Sequence, residues 1–162
     1  MLVSYSIPKM RPMIEAGLAE RAGEALPEGC RVKRQTIRAR GPQWLRVLAA
    51  SEGGSAKGGK VDRDLHHWWK SRTKERALLG VVRGFEIYPV AISRGRGGEG
   101  GRYITVSFPD RYIMGLPTKL RIAWAPELFD FACKDGFESA ASFAEFFVPE
   151  PGDRFPGVLI KW

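Results

Sequence analysis

Segment 33–38, which reads KRQTIR, contains the residue types best suited to chemistry in this chain. A lysine acts as a base only when neutral, so the pKa of Lys33 would have to fall by roughly 3 from about 10.4, which costs about 4 kcal/mol. Burial and the charges of Arg34 and Arg38 act in that direction. The Arg38 guanidinium could hold a phosphate or a base carbonyl. The segment is a candidate reactive centre, and a solvated basic loop is the alternative.

The spacing of Lys33 and Thr36 sets a condition on such a centre. Side chains three positions apart point to opposite sides of a strand, whereas they meet on one face of a helical turn. If the Thr36 hydroxyl is to act together with the Lys33 amine, we expect a turn between the two residues.

Other motifs typical of enzymes have weaker support. The stretch 95–100 fits the pattern G-x-G-x-x-G, but a strand is expected after it instead of a helix, so it predicts a hairpin loop and no dinucleotide cofactor. Arginines 94, 96 and 102 around this loop could contact RNA phosphates. His66 and His67 would point to opposite faces of a strand, which argues against a shared metal ion. No serine lies in a G-x-S-x-G elbow.

Trp68 and Trp69 are separated by the same alternation. One ring is expected to pack in the core, and the other could face a groove where a nucleic-acid base stacks. The sequence does not decide which of the two is exposed.

The elements that must position these residues are interleaved helices and strands. Strands are expected at 1–7, 64–69, 79–92, 103–108 and 157–162 from their β-branched and aromatic content. Helices are expected from Met10 to about Leu26, within 41–50, from about Pro126 to Gly136, and from the cap Ser139 to about Phe147. The glycine-rich stretch 51–60 is expected to be a flexible surface loop. The pattern predicts an α+β domain with a mixed, mostly antiparallel sheet that curls into a barrel.

Composition limits the class of protein. With 162 residues, 44% of them hydrophobic, the chain can form one domain, 1–162, with its own core. The net charge of +8 favours polyanionic partners, since each neutralised phosphate releases counterions. Cys30 and Cys133 are too few and too far apart for a zinc framework. No apolar run is long enough for a membrane span and no signal peptide is evident, so we expect a cytoplasmic protein with no metal and no membrane contact.

Three blocks of this sequence resemble the ASCH domains, which are PUA-like β-barrels associated with RNA. The opening "VSYSIPKMRPMIEAG" is similar to the ASCH strand and helix that lead to a lysine-centred loop. Lys33, Thr36 and Arg38 match the signature Lys-x-x-Thr-x-Arg of that loop, although Arg31 stands where a glycine is expected and 18–30 looks like an insertion. "DLHHWWKSRTKERALLG", "DGFESAASFAEFF" and "FPGVLIKW" resemble later blocks of the family.

The resemblance implies a PUA-like fold and a function on RNA or nucleosides without a cofactor. Some ASCH proteins are amidohydrolases that remove the acetyl group from acetylcytidine, others have been assigned ribonuclease activity, and many only bind. In the amidohydrolases a lysine, a threonine and a glutamate perform the reaction. The first two correspond to Lys33 and Thr36, and Glu138 and Glu145 are candidates for the third. The candidate substrate-binding residues are Arg34, Gln35, Arg38, Trp69, Lys70, Arg72 and Lys74.

Two further functions stay open. The same cleft could belong to an RNA-binding module without catalysis, or exposed aromatic residues could make the chain a protein-interaction adapter. An enzyme would turn over acetylcytidine or RNA, a binder would show only an affinity that falls with salt, and an adapter would show neither.

Overall fold

The computed structural model describes residues 1–96, 102–108 and 125–162. It is an α+β protein in which a strongly curled, mixed sheet is flanked by helices. The strands are β1 (Leu2–Tyr5), β2 (Gln35–Ala39), β3 (Gly59–Trp69), β4 (Ala77–Arg96), β5 (Arg102–Ser107) and β6 (Arg154–Lys161). The helices are α1 (Arg11–Arg21), preceded by a 3-10 turn (Pro8–Met10), α2 (Pro42–Ala49), α3 (Gly54–Lys57), α4 (Ala125–Lys134) and α5 (Ala140–Phe147).

The sheet follows the order β1-β3-β4-β6-β2, and β5 pairs with β4 beside this path. β1 and β3 are parallel, and the other described pairings are antiparallel. The two ends of the path approach each other, since the Nη2 of Arg38 on β2 donates a hydrogen bond of 2.7 Å to the carbonyl oxygen of Ser4 on β1. This contact places residues of both end strands around one site. The expected α+β class with a mixed, mostly antiparallel sheet is confirmed.

Apolar periodicity explains how the elements pack. In α2, Pro42 suits the first turn, and Trp44, Val47 and Leu48 are buried on one face. The last strand lies between β4 and β2 and contributes consecutive buried residues, Val158–Ile160, so both of its faces are covered at these positions. The cap of α5 is the one expected from sequence: the Ser139 side chain accepts a hydrogen bond of 3.0 Å from the backbone N–H of Ser142.

Three elements differ from the expectation, and the first is β2, a strand where a turn or a solvated basic loop was expected. Helix α1 ends at Arg21 instead of near Leu26, and Gly23 just after it has a φ of +82°, a conformation that stops a helix. The stretch 51–60 contains α3 and the start of β3 where a flexible loop was expected. Gly58, with φ +69°, lies against the backbone of Ile87, where a Cβ would overlap the carbonyl oxygen. This glycine therefore permits a close approach and does not mark a loose segment.

Within residues 1–96, 102–108 and 125–162, none of the helices has both the length and the apolar character needed to cross a membrane.

Candidate functional site

Lys33 lies in the interior of the protein, just before β2. Its side chain is 1% exposed, and its backbone N–H donates a hydrogen bond of 2.9 Å to the carbonyl oxygen of Met13 in α1. Gly17, one turn later in α1, makes room for this segment, since a Cβ there would overlap the carbonyl oxygen of Lys33. The helix glycine that weakens α1 by propensity thus allows the lysine segment to pack on the helix.

The partner of Lys33 is Asp135, which follows α4 and is also buried. The Lys33 ammonium nitrogen lies 2.5 Å from Asp135 Oδ1 and also donates to the backbone carbonyl oxygen of the same residue. Gly136 follows with φ +90°, and a Cβ at this position would lie 3.4 Å from the Lys33 side chain. The turn after α4 is therefore shaped around the lysine.

Burial acts on both members of this pair. Removal from water lowers the pKa of Lys33 and raises the pKa of Asp135, because each charged form loses its hydration. Their mutual attraction opposes both shifts, while the nearby Arg38 charge lowers both pKa values. Burial thus acts against the doubly charged form of the pair and in favour of a neutral lysine amine, the form that can accept a proton.

Lys33 and Asp135 line a pocket of about 180 Å³, which we call the inner pocket. Thr36 lines the same pocket although it lies in β2, because Lys33 precedes the strand and does not follow its alternation. The helical turn expected between the two residues is not needed to bring them together. The remaining lining residues are Tyr5, Ser6, Ile7, Met10, Ile37, Arg38, Phe137, Phe146 and Phe147.

Tyr5 and His67 form a second buried polar pair at this pocket. The Tyr5 hydroxyl lies 3.0 Å from His67 Nδ1, and the two rings are stacked. Burial lowers the pKa of His67 to about 4 and raises the pKa of Tyr5, so both are uncharged at neutral pH. The Arg38 guanidinium carbon lies 5.1 Å from the centre of the Tyr5 ring. The Tyr5 ring of this pair therefore makes a cation–π contact with the Arg38 guanidinium.

Arg38 has spare hydrogen-bonding capacity. One of its terminal nitrogens binds the Ser4 carbonyl, whereas its Nε is buried and has no hydrogen-bond partner in the part of the chain that the structure describes. A buried donor without a partner costs free energy. Arg38 also lines the inner pocket.

A second depression lies beside the inner pocket and shares Ser6 and Arg38 with it. This outer groove has a volume of about 430 Å³. Its other lining residues are Leu2, Val3, Ser4, Gln43, Trp44, Lys70, Ser71, Arg72 and Thr73. Of the expected substrate-binding residues, Lys70 and Arg72 line it, Lys74 is exposed nearby in sequence but does not, and Trp69 is buried in the core.

The remaining expected site residues lie away from both depressions. Arg34 is exposed and forms a two-pronged ion pair with Glu20, with nitrogen–oxygen distances of 2.6 and 2.5 Å. Gln35 is buried and donates to the carbonyl oxygen of Phe131. Glu138 is exposed and pairs with Lys9 at 3.3 Å, and Glu145 is exposed on α5. Neither glutamate lines the inner pocket.

Asp135 is the carboxylate that sequence reasoning missed. Its signal was present but weak: an aspartate followed by a glycine, at the end of an expected helix. Such a pair is common in turns, and nothing local connects it with Lys33, which lies 102 positions earlier.

The other sequence motifs contribute little to the candidate site. Among the described residues, no group of three or more His, Cys, Asp and Glu side chains could hold a metal ion. Residues 97–101 of the glycine-rich stretch lie outside the described residues, and the strands on both sides of it pair as a hairpin. Arg94 donates hydrogen bonds to the carbonyl oxygens of Val148 and Pro149. Its guanidinium thus anchors the segment that follows α5.

A comparison with known protein families, with curated proteins and with solved structures finds no match to this chain.

Proposed function

We propose that this chain is an ASCH-like, PUA-related hydrolase that removes an acyl group from the exocyclic amine of a base in a nucleoside or in RNA. The observation behind the proposal is the buried pair of Lys33 and Asp135 at the inner pocket, with Thr36 and Arg38 in the same wall. The ASCH signature supplies the lysine, the threonine and the arginine. Asp135 takes the place that the family gives to a glutamate.

The size and lining of the inner pocket suit one heterocyclic ring. A volume of about 180 Å³ is below that of pockets for drug-sized ligands, roughly 300–1,000 Å³, and accommodates a single ring with a small substituent. Aromatic side chains of Phe137, Phe146 and Phe147 offer faces for stacking. The unpartnered Nε of Arg38 suits the carbonyl oxygen of a base.

The chemistry proposed is amide hydrolysis. Water adds to the acyl carbonyl carbon and gives a proton to the neutral Lys33 amine, while the Thr36 hydroxyl donates a hydrogen bond to the developing oxyanion. The carbon–nitrogen bond then breaks, and the exocyclic nitrogen takes the proton from Lys33. The products are a carboxylic acid and the free base amine. Asp135 holds the lysine in place and shares its proton between turnovers.

The first test is product formation from acetylcytidine, and from acetylated RNA, by the purified protein and its variants. Lys33→Met, which has similar length and cannot accept a proton, should reduce turnover to the uncatalysed level. Thr36→Val keeps the shape and should lower kcat about 100-fold, which is typical for one lost oxyanion donor. Lys9→Met, which removes an exposed lysine outside the pocket, is the control.

The results separate the proposal from its rival. Full turnover in Lys33→Met would contradict it, and so would the absence of product with every acetylated substrate. If Lys33→Met does not fold, Thr36→Val decides. The rival, an RNA-binding module, is favoured by one observation: Lys33 already has two acceptors on Asp135, as a structural ion pair would. That module would yield no product and would bind RNA with an affinity that falls with salt.

A further inference from the structure

The outer groove is basic on the side where it meets the inner pocket. Arg38, Lys70 and Arg72 line it, and none of the described residues in its lining is acidic. Lys70 pairs with Glu75 outside the lining. Arg72 is exposed and forms no ion pair with a described residue. The groove therefore has at least one arginine available for an anion.

The turn that presents these residues is held by its own hydrogen bonds. Lys70 has a φ of +42°, and its backbone N–H donates to the carbonyl oxygen of Tyr5 at 2.8 Å. Ser71 N–H donates to Ser4 Oγ at 3.1 Å, and the backbone N–H and hydroxyl of Thr73 both donate to the Lys70 carbonyl oxygen. The turn is thus fixed to β1, which also borders the inner pocket. Arg72 stands in this anchored turn, between Ser71 and Thr73, and lines the outer groove.

A nucleotide is too large for the inner pocket alone, so its parts would lie in both depressions. The inner pocket has room for one ring but not for a ribose and a phosphate as well. The outer groove is a candidate place for the sugar and the phosphate, because Ser6 and Arg38 line both depressions. A phosphate one sugar away from the base would lie among basic and hydroxyl side chains, which are typical phosphate ligands.

We propose that the outer groove is a phosphate subsite, so that the preferred substrate is a nucleotide, free or within a strand, and not the bare nucleoside. The proposal rests on the proposed function of the inner pocket. Arg72 binds the phosphate directly, and Lys70 contributes positive charge. The Arg38 side chain lines both depressions, its Nε has no hydrogen-bond partner among the described residues, and its Nη2 binds the Ser4 carbonyl oxygen on β1.

The test compares three ligands that share one base: acetylcytidine, its 5′-monophosphate, and a short RNA with one acetylated cytidine. At low salt, kcat/KM should be about tenfold higher for the monophosphate than for the nucleoside, which corresponds to about 1.4 kcal/mol. Arg72→Ala should remove most of this preference through KM. Arg154→Ala, which removes an exposed arginine outside both depressions, is the charge-matched control and should retain it.

Each outcome decides one point. Equal efficiency on nucleoside and monophosphate would overturn the phosphate subsite and leave the proposed hydrolase intact, as would an Arg72→Ala effect no larger than that of Arg154→Ala. A preference for the RNA alone, removed by Arg72→Ala, would identify a phosphodiester as the ligand. If no substrate is turned over, calorimetric binding of cytidine and cytidine 5′-monophosphate still tests the subsite: equal affinities would overturn it.

Discussion

Lys33 and Arg34 are neighbours in the chain, and each pairs with a carboxylate, yet they lie in opposite environments. Lys33 pairs with Asp135 in the interior, where both side chains are at most 3% exposed. Arg34 pairs with Glu20 at the surface, where the side chains are 50% and 39% exposed. Water screens the second pair and not the first. Burial therefore separates a lysine whose pKa is lowered from its solvated arginine neighbour.

The same contrast between buried and exposed neighbours recurs in β3. His67 is fully buried against Tyr5, whereas its neighbour His66 is partly exposed on the other face of β3. Both buried members, Lys33 and His67, are close enough to Arg38 that its charge lowers their pKa values. Burial and the Arg38 charge thus both lower the pKa values of these two interior groups.

The largest expected effect comes from breaking the buried pair of Lys33 and Asp135. Lys33→Met leaves Asp135 buried without its partner and should lower the free energy of unfolding by about 3–5 kcal/mol. The double variant Lys33→Met with Asp135→Leu removes both polar groups and should recover most or all of this loss. Urea unfolding of the two single variants and the double variant measures the coupling.

The exposed pair is the matched control for that cycle. Arg34→Met should leave the unfolding free energy close to that of the parent, because surface ion pairs contribute little. A double variant that is stable but inactive would mean that the buried pair exists for chemistry. A double variant no more stable than Lys33→Met would contradict the interpretation of the pair as a costly functional feature.

The next effect concerns pH and the two histidines. The pKa of His67 is about 4 in the folded protein and near 6.5 when unfolded, so between these values the unfolded chain binds the extra proton. Stability should therefore fall as pH drops from 6.5 to 4, by about 3 kcal/mol from this group. Urea midpoints at pH 7 and pH 4.5 measure it. His67→Gln should flatten the dependence of the urea midpoint on pH, whereas His66→Gln should not. Equal pH profiles for the two variants would argue against the assignment of the low pKa to His67.

A smaller effect is expected at the helix that supports Lys33. Gly17→Ala places a methyl group against the carbonyl oxygen of Lys33 and should lower stability by about 1–3 kcal/mol, although alanine is the better helix former. Gly41→Ala, at the N-cap of α2 with φ −87° and open space around the Cβ, is the control and should cost at most about 1 kcal/mol, because alanine is the poorer N-cap. Thermal unfolding compares the two. A stabilised Gly17→Ala would show that Lys33 does not lie against α1 as described.

Local sequence patterns were sufficient for most elements of the fold. Alternation and β-branched content located all the strands except β2, which lies where a turn or a basic loop was expected, and the Ser139 cap located the start of α5. The extents of the elements were less accessible, because β4 continues through Pro89 and reaches 20 residues by pairing with three other strands. The glycines of 51–60 looked flexible for the same reason: their close contact with β4 is not visible in the local sequence.

For the candidate site, the sequence pointed to the lysine segment and not to its partner. Lys33, Thr36 and Arg38 stand within six residues and match a short signature, so they could be found together. Asp135 and Tyr5 reach the pocket only through the tertiary fold. The glutamates Glu138 and Glu145 were chosen for their residue type, but in the structure both lie on the solvent side of the C-terminal helical region.

The separation of 102 positions between Lys33 and Asp135 has a consequence for folding. Contacts between such distant parts of a chain require the closure of long loops, and they form late compared with local helices and hairpins. Until the turn after α4 docks, Lys33 stays hydrated and keeps the protonation of an ordinary lysine. The buried lysine with its lowered pKa therefore exists only in the completed tertiary structure, and partly folded forms of the chain should titrate at this position like an ordinary lysine.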